Sequence, residues 1–163
     1  MTPNSGQGGS AVALAGRTLV GGSGRGRALV LVEPLSFWGG IDPRTGLVID
    51  RRHPQAGVCV SGKILVMPSG RGSSSSSSVL AEAIRLGTAP AGIVLAEPDG
   101  ILALGALVAA LLYGRSCPVV VVAEPGYSAI RSGVTVSVEA GSETARVGIA
   151  YDGDRPIEAS GAQ

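Results

Sequence analysis

Six consecutive serines occupy positions 73–78, directly behind Pro68-Ser-Gly-Arg-Gly72. Gly70 and Gly72 let the backbone turn tightly and approach a ligand closely. Ser73 or Ser74 is a natural N-cap for a helix that begins here. The first turn of such a helix offers free N–H groups and the positive end of its dipole. Arg71 adds a cation, and the small side chains leave room. This combination favours an anion: a carboxylate, a phosphate or an alkoxide. The alkoxide carries the chemistry. A serine oxygen held among backbone donors beside an arginine is stabilised in its deprotonated form. The chain therefore permits a serine base without a histidine partner. Two plainer readings stand beside it: a helix that is merely capped, and a flexible low-complexity linker. No Ser-His-Asp order and no carboxylate pair of fixed geometry complements the serines.

The linker reading conflicts with position, because the run sits between an apolar strand and a helix. Residues 64–67 read as a strand. Val79, Leu80, Ala83, Ile84 and Leu86 have helical spacing, which predicts a helix over 73–86 that Gly87 stops. A buried strand at 91–95, a second helix at 100–113 capped by Gly114, and a core strand at 118–122 follow. Two successive crossovers imply a small parallel sheet covered by helices. Around it, 17–20 and 28–32 read as strands joined by a Gly-rich connector at 21–26. Positions 46–49 and 58–60 read as short strands, and 134–138 and 145–150 as half-exposed antiparallel strands. The expected fold class is α/β, with a parallel sheet, antiparallel strands and a helical layer. Residues 1–10 and 153–163 read as flexible tails around one domain at 11–152.

Composition removes several function classes. The 163 residues carry a net charge of +1 and 3% aromatics, which argues against a nucleic-acid binder. Two cysteines and one histidine exclude a disulfide scaffold, and leave no metal site for this chain alone. The N-terminus lacks a basic leader, and the longest apolar stretch, 101–113, is too short to span a bilayer. A cytoplasmic setting is the default expectation. Charged residues are only 15% and mean hydropathy is +0.37, which suits a chain that hides surface in a complex.

Several motifs in order resemble the aconitase X swivel domain: Ser36-Phe-Trp-Gly-Gly-Ile-Asp-Pro43, His53-Pro54, Gly62-Lys-Ile-Leu-Val66, the glycine–serine loop from Pro68, and Gly87-Thr-Ala-Pro90. The resemblance covers about 16–122. It implies the swivelling β/β/α three-layer domain of the aconitase superfamily. It implies a small subunit that works beside a large subunit in dehydrating a small hydroxy acid. Iron, as a mononuclear ion or an iron–sulfur cluster, is then expected on the large subunit and not on this chain. The serine that follows the loop glycine acts as proton acceptor in the family, which here is Ser73. Arg71, Gly72 and Ser74 are the expected substrate contacts. Archaeal members tend to read Gly-Ser-Thr-Val-Gly-Ser where this chain has unbroken serines. Bacterial members act on cis-3-hydroxy-L-proline and archaeal ones on mevalonate 5-phosphate. Twelve Arg against one Lys, with Trp38 in its loop, lean toward the proline-type enzyme. A non-catalytic anion-binding module is the rival of another class.

Other residues carry plainer expectations. His53 reads as a surface or interface residue, with substrate or partner contact as the alternative. Cys59 and Cys117 read as small core hydrophobes. The 36–42 loop, with Phe37 and Trp38, reads as a partner contact or as cover for the sheet. The apolar 100–113 helix reads as core, or else as a face buried under the large subunit.

Overall fold

The computed structural model describes residues 11–151. The expected tails at 1–10 and 153–163 lie outside the described residues. Two long strands come first, β1 (Ala11–Val20) and β2 (Gly22–Val30). A small hairpin follows, β3 (Ile41–Asp42) with β4 (Leu47–Val48). The crossover core runs β5 (Ile64–Met67), α1 (Ser76–Leu86), β6 (Gly92–Leu95), α2 (Gly100–Tyr113) and β7 (Val119–Val121). A short α3 (Gly126–Ala129) then leads to β8 (Thr135–Ala140) and β9 (Thr144–Ala150).

Strands β2, β5, β6 and β7 pair in parallel. Strand β1 is antiparallel to β7 and β9, and β8 is antiparallel to β2 and β9. The ring closes in the order β1-β7-β6-β5-β2-β8-β9. The expected layers are therefore present, with the two β layers joined at both edges.

The parallel strands explain why their sequences show no alternation. All four residues of β5 are buried, but on two sides. Leu65 and Met67 face a core shared with Leu80, Ile84, Leu102 and Ala106 of the helices. Ile64 and Val66 face a second core inside the barrel, with Val94, Val120, Val138 and Ile149. Gly87 and Gly114 end their helices in the left-handed region, as expected.

Four local expectations need correction. The 21–26 stretch is not a connector: only Gly21 separates β1 from β2, and 22–26 are strand. Positions 58–60 make a single bridge, Cys59 to Leu47. Helix α1 begins at Ser76, because 73–75 form a lead-in of tight turns. Helix α2 is not wholly core. It buries Leu102, Gly105, Ala106 and Ala109 and leaves Leu104, Leu107, Leu111 and Leu112 exposed, Leu111 at 76%.

Candidate active site

The serine loop leaves the carboxyl end of β5, and the loop holding Asp99 leaves the carboxyl end of its neighbour β6. Carboxyl ends of parallel strands are where open α/β sheets hold ligands. Between the two loops lies a cleft of about 140 Å³, lined in part by Phe37, Gly70, Arg71, Gly72, Ser73 and Asp99. A larger groove of about 410 Å³, with Arg25, Glu139 and Arg146, crosses the β1–β9–β8 wall and shares no residue with it.

The loop is anchored on one side by Leu35. Gly70 bridges to Leu35, and the Arg71 N–H donates to the Leu35 carbonyl at 3.3 Å. Gly72 has φ +94°, where side chains are disfavoured, and a Cβ there would stand 2.6 Å from Ser36 Oγ. Both features turn the chain so that Ser73 is exposed beside the cleft. Ser73 Oγ accepts the Ser75 N–H at 3.1 Å. The N-cap is Ser75 rather than Ser73 or Ser74, and its side chain makes no capping bond. The Ser76, Ser77 and Ser78 N–H groups are spent on carbonyls three residues back. Free donors thus lie one step earlier than the sequence suggests. Among the described residues, no acceptor meets the N–H of Gly72, Ser73 or Ser74. Three successive uncommitted amides form a concavity suited to an anion.

Two of the remaining serines are structural, each differently. Ser76 is buried, and its Oγ accepts the Trp38 N–H at 3.1 Å and stands 3.4 Å from Ser36 Oγ. It ties the 36–38 loop to the start of α1. Ser77 donates to the Ser74 carbonyl at 2.8 Å and lies under Gly105 of α2. A Cβ on Gly105 would come within 2.5 Å of the Ser77 carbonyl oxygen, so the two helices meet only because that residue is glycine.

Arg71 lies with its Nη2 3.9 Å from Asp50 Oδ2, and both side chains keep substantial exposure. Such a pair is worth little, so the guanidinium stays available to a ligand. Asp99 caps α2: its Oδ1 accepts the N–H of Ile101 and of Leu102. The sequence reading passed over this residue. Its Pro98-Asp99-Gly100 context before an apolar run was the available signal.

Three other expectations change. His53 is not a surface residue; it is 3% exposed. Its Nδ1 accepts the Gln55 N–H, which leaves Nε2 to donate to the Glu33 carbonyl at 3.2 Å. Gln55 in turn bonds the Val30 carbonyl and the Val32 N–H beyond the end of β2. The pair serves the backbone, which accounts for the burial. The two aromatics of the 36–42 loop part company. Phe37 is 1% exposed and belongs to the core, whereas Trp38 is 59% exposed.

Cys117 is core as expected, and burial pushes its thiol up to about 12. Cys59 is only half-buried, and hydrogen bonds from Ser61 lower its thiol below the usual value. A lowered value means more thiolate at a given pH, and a raised one means less. Alkylation of the native protein at about pH 8 is therefore expected to label Cys59 and spare Cys117, with both labelled after unfolding. Peptide mass mapping checks this, and native labelling of Cys117 would contradict its burial.

A closed β/β/α domain with a glycine–serine loop at the carboxyl ends of its parallel strands is a swivelling domain of the aconitase kind. The chain belongs to the aconitase X swivel domain family, whose description matches residues 13–147. It is 56% identical over 108 residues to a cis-3-hydroxy-L-proline dehydratase of Pseudomonas aeruginosa, covering 66% of this chain and 19% of that one. It is 41% identical over 127 residues to a phosphomevalonate dehydratase small subunit of Thermococcus sibiricus, covering 78% and 92%. A chain of the Thermococcus kodakaraensis aconitase X crystal structure superposes with a TM-score of 0.71 at 34% identity, covering 83% and 98%. The chain thus spans about a fifth of the length of the cis-3-hydroxy-L-proline dehydratases it matches.

Proposed function

We propose that this chain is the small, swivel component of a two-component hydro-lyase of the aconitase X type. The substrate is cis-3-hydroxy-L-proline, the product Δ1-pyrroline-2-carboxylate, and Ser73 the proton acceptor. One observation carries this reading. An exposed serine, whose oxygen accepts a backbone N–H, borders a cleft that also holds a guanidinium and uncommitted amides. The 56% identity to a dehydratase of that name supports the substrate.

The chemistry of this chain's residues follows. The substrate carboxylate lies against Arg71 and the free amides of Gly72 and Ser74, which fixes the Cα–H toward Ser73. Those donors stabilise negative charge that spreads from Cα into the carboxylate. The Ser73 alkoxide takes the Cα proton, and the Ser75 N–H keeps that oxygen available as a base. Hydroxide leaves C3 with its bonding electrons and takes a proton from solvent to depart as water, while Ser73 returns its proton to solvent and regains the alkoxide. The resulting enamine moves a proton from nitrogen to carbon and becomes the cyclic imine.

Iron or an iron–sulfur cluster requires a set of thiolate, imidazole or carboxylate ligands. Among the described residues no group of three or more His, Cys, Asp or Glu stands together. The described residues do not fit the metal, and we assign it to the large partner. The partner's docking surface includes Trp38 and the outward leucines of α2. No described helix is long and apolar enough to cross a membrane, and the cytoplasm is the compartment we assign. Trp38→Ala is expected to weaken association with the large component by about 30-fold, as loss of an aromatic anchor does. Titration calorimetry measures this, and an unchanged Kd would remove Trp38 from the interface.

Mevalonate 5-phosphate is the second reading, favoured by the 92% coverage of the Thermococcus sibiricus small subunit. The test is turnover by this chain mixed with its large component and iron, each substrate offered separately. Loss of cis-3-hydroxy-L-proline that requires both chains upholds the first reading. Turnover of the phosphate alone replaces it, and turnover of neither by a verified complex leaves the anion-binding module.

A further inference from the structure

Asp99 is placed where its capping role uses only half of it. Oδ1 accepts both N–H groups at the start of α2, at 2.9 and 3.0 Å. Oδ2 accepts no hydrogen bond among the described residues. This oxygen lies beside Gly70, so closely that any side chain at position 70 would collide with it. Gly70, Arg71, Ser73 and Asp99 line one cleft of about 140 Å³. The cleft therefore presents a cation, a base and an anion within the span of one small molecule.

The geometry points to Asp99 as the group that receives the ring ammonium of a zwitterionic substrate. This rests on the dehydratase reading above and names what makes the site select an amino acid. In cis-3-hydroxy-L-proline the ammonium and the carboxylate are both bonded to Cα, the carbon that Ser73 deprotonates. A base at Cα thus has an anion to be held on one side and a cation on the other. Arg71 with the free amides serves the first, and Asp99 Oδ2 serves the second. The carboxylate also keeps the nitrogen protonated, and a protonated nitrogen makes the Cα–H more acidic. A phosphorylated hydroxy acid has no cation to offer, and its negative charge is repelled by Asp99. Asp99 is thus a specificity-determining residue that favours hydroxyproline over a phosphate ester.

Asp99→Asn keeps an N-cap oxygen for Ile101 and Leu102 and removes only the charge. In the assembled two-component enzyme we expect KM for cis-3-hydroxy-L-proline to rise about 10- to 100-fold, the range of a lost charged hydrogen bond. The thermal midpoint should stay near that of wild type. A ligand pair reads the charge directly: L-proline, and tetrahydrofuran-2-carboxylate, in which oxygen replaces the ring ammonium. Wild-type complex should bind L-proline more tightly by calorimetry, and Asp99→Asn should bind the two about equally. Unchanged KM with unchanged ligand preference overturns the proposal, as does a fall in kcat alone, which marks a structural role. If the wild-type complex turns over no cis-3-hydroxy-L-proline, the dehydratase reading fails separately. The ligand pair still decides Asp99 in that case, because equal binding of both by wild type overturns its role.

Discussion

Replacing Ser73 with alanine in the assembled enzyme is expected to lower turnover by about 10²- to 10⁴-fold, the range for loss of a general base. Association with the large component should not change. The separation is possible because Ser73 contributes little to the fold. Its side chain is exposed and its one hydrogen bond is accepted from Ser75, worth about 1 kcal/mol at most. The neighbours differ. Ser76 holds the 36–38 loop and Ser77 lies under α2, so substitutions there mix structure with chemistry. Among the described residues Ser78 makes no side-chain bond, and it serves as a control within the run, for which Ser78→Ala should leave turnover near wild type. Equal loss at Ser73 and Ser78 would mean that the run acts as a unit and that Ser73 is not the base.

The largest effect on stability is expected at the glycines of β2. A Cβ on Gly24 would run into the Ala91 carbonyl, and one on Gly26 into the Gly62 carbonyl. Both obstacles are backbone, at the entries to β6 and β5, and cannot swing aside as a side chain would. The strands they lead into carry the serine loop and the Asp99 loop at their other ends. Overpacking costs about 1–3 kcal/mol, with an immovable backbone obstacle at the upper end, and Gly24→Ala should lower Tm by on the order of 10 °C. Gly100→Ala is the control, because its Cβ meets nothing within 4 Å. Thermal unfolding of the two variants checks the contrast. A Gly24→Ala protein as stable as wild type would mean that the backbone around Ala91 and Gly92 yields.

These glycines also mark where sequence reasoning stopped. Close approach and chain reversal call for the same residue, and local sequence does not distinguish them. The 21–26 stretch therefore read as a connector, although its glycines let other backbone cross a strand. The βαβ core was legible because β5, β6 and β7 are apolar on both faces and α1 keeps a helical period. Helix α2 misled for the opposite reason. It is apolar nearly all round, which reads as burial. Yet its inward face uses Leu102 with Gly105, Ala106 and Ala109, the last three being small residues that let α1 approach, and its other four leucines are exposed. The site was legible at Ser73, Arg71 and Gly72 because glycine, arginine and serine together between a strand and a helix are unusual. The cap context of Asp99 and the motif at Ser36 were legible, but not their place beside the loop, to which the fold brings them from distant sequence. Repetition hid further detail, since Ser73, Ser76 and Ser77 perform separate tasks that only their contacts distinguish.

The transfer of the Cα proton to Ser73 is open to direct measurement. Cis-3-hydroxy-L-proline carrying deuterium at Cα is given to the assembled enzyme, and deuterium release into water is followed by NMR. Release with wild-type protein, together with its absence in Ser73→Ala while the complex remains assembled, is the expected result. Release by Ser73→Ala at the wild-type rate would show that another group takes the proton and would contradict a serine base on this chain.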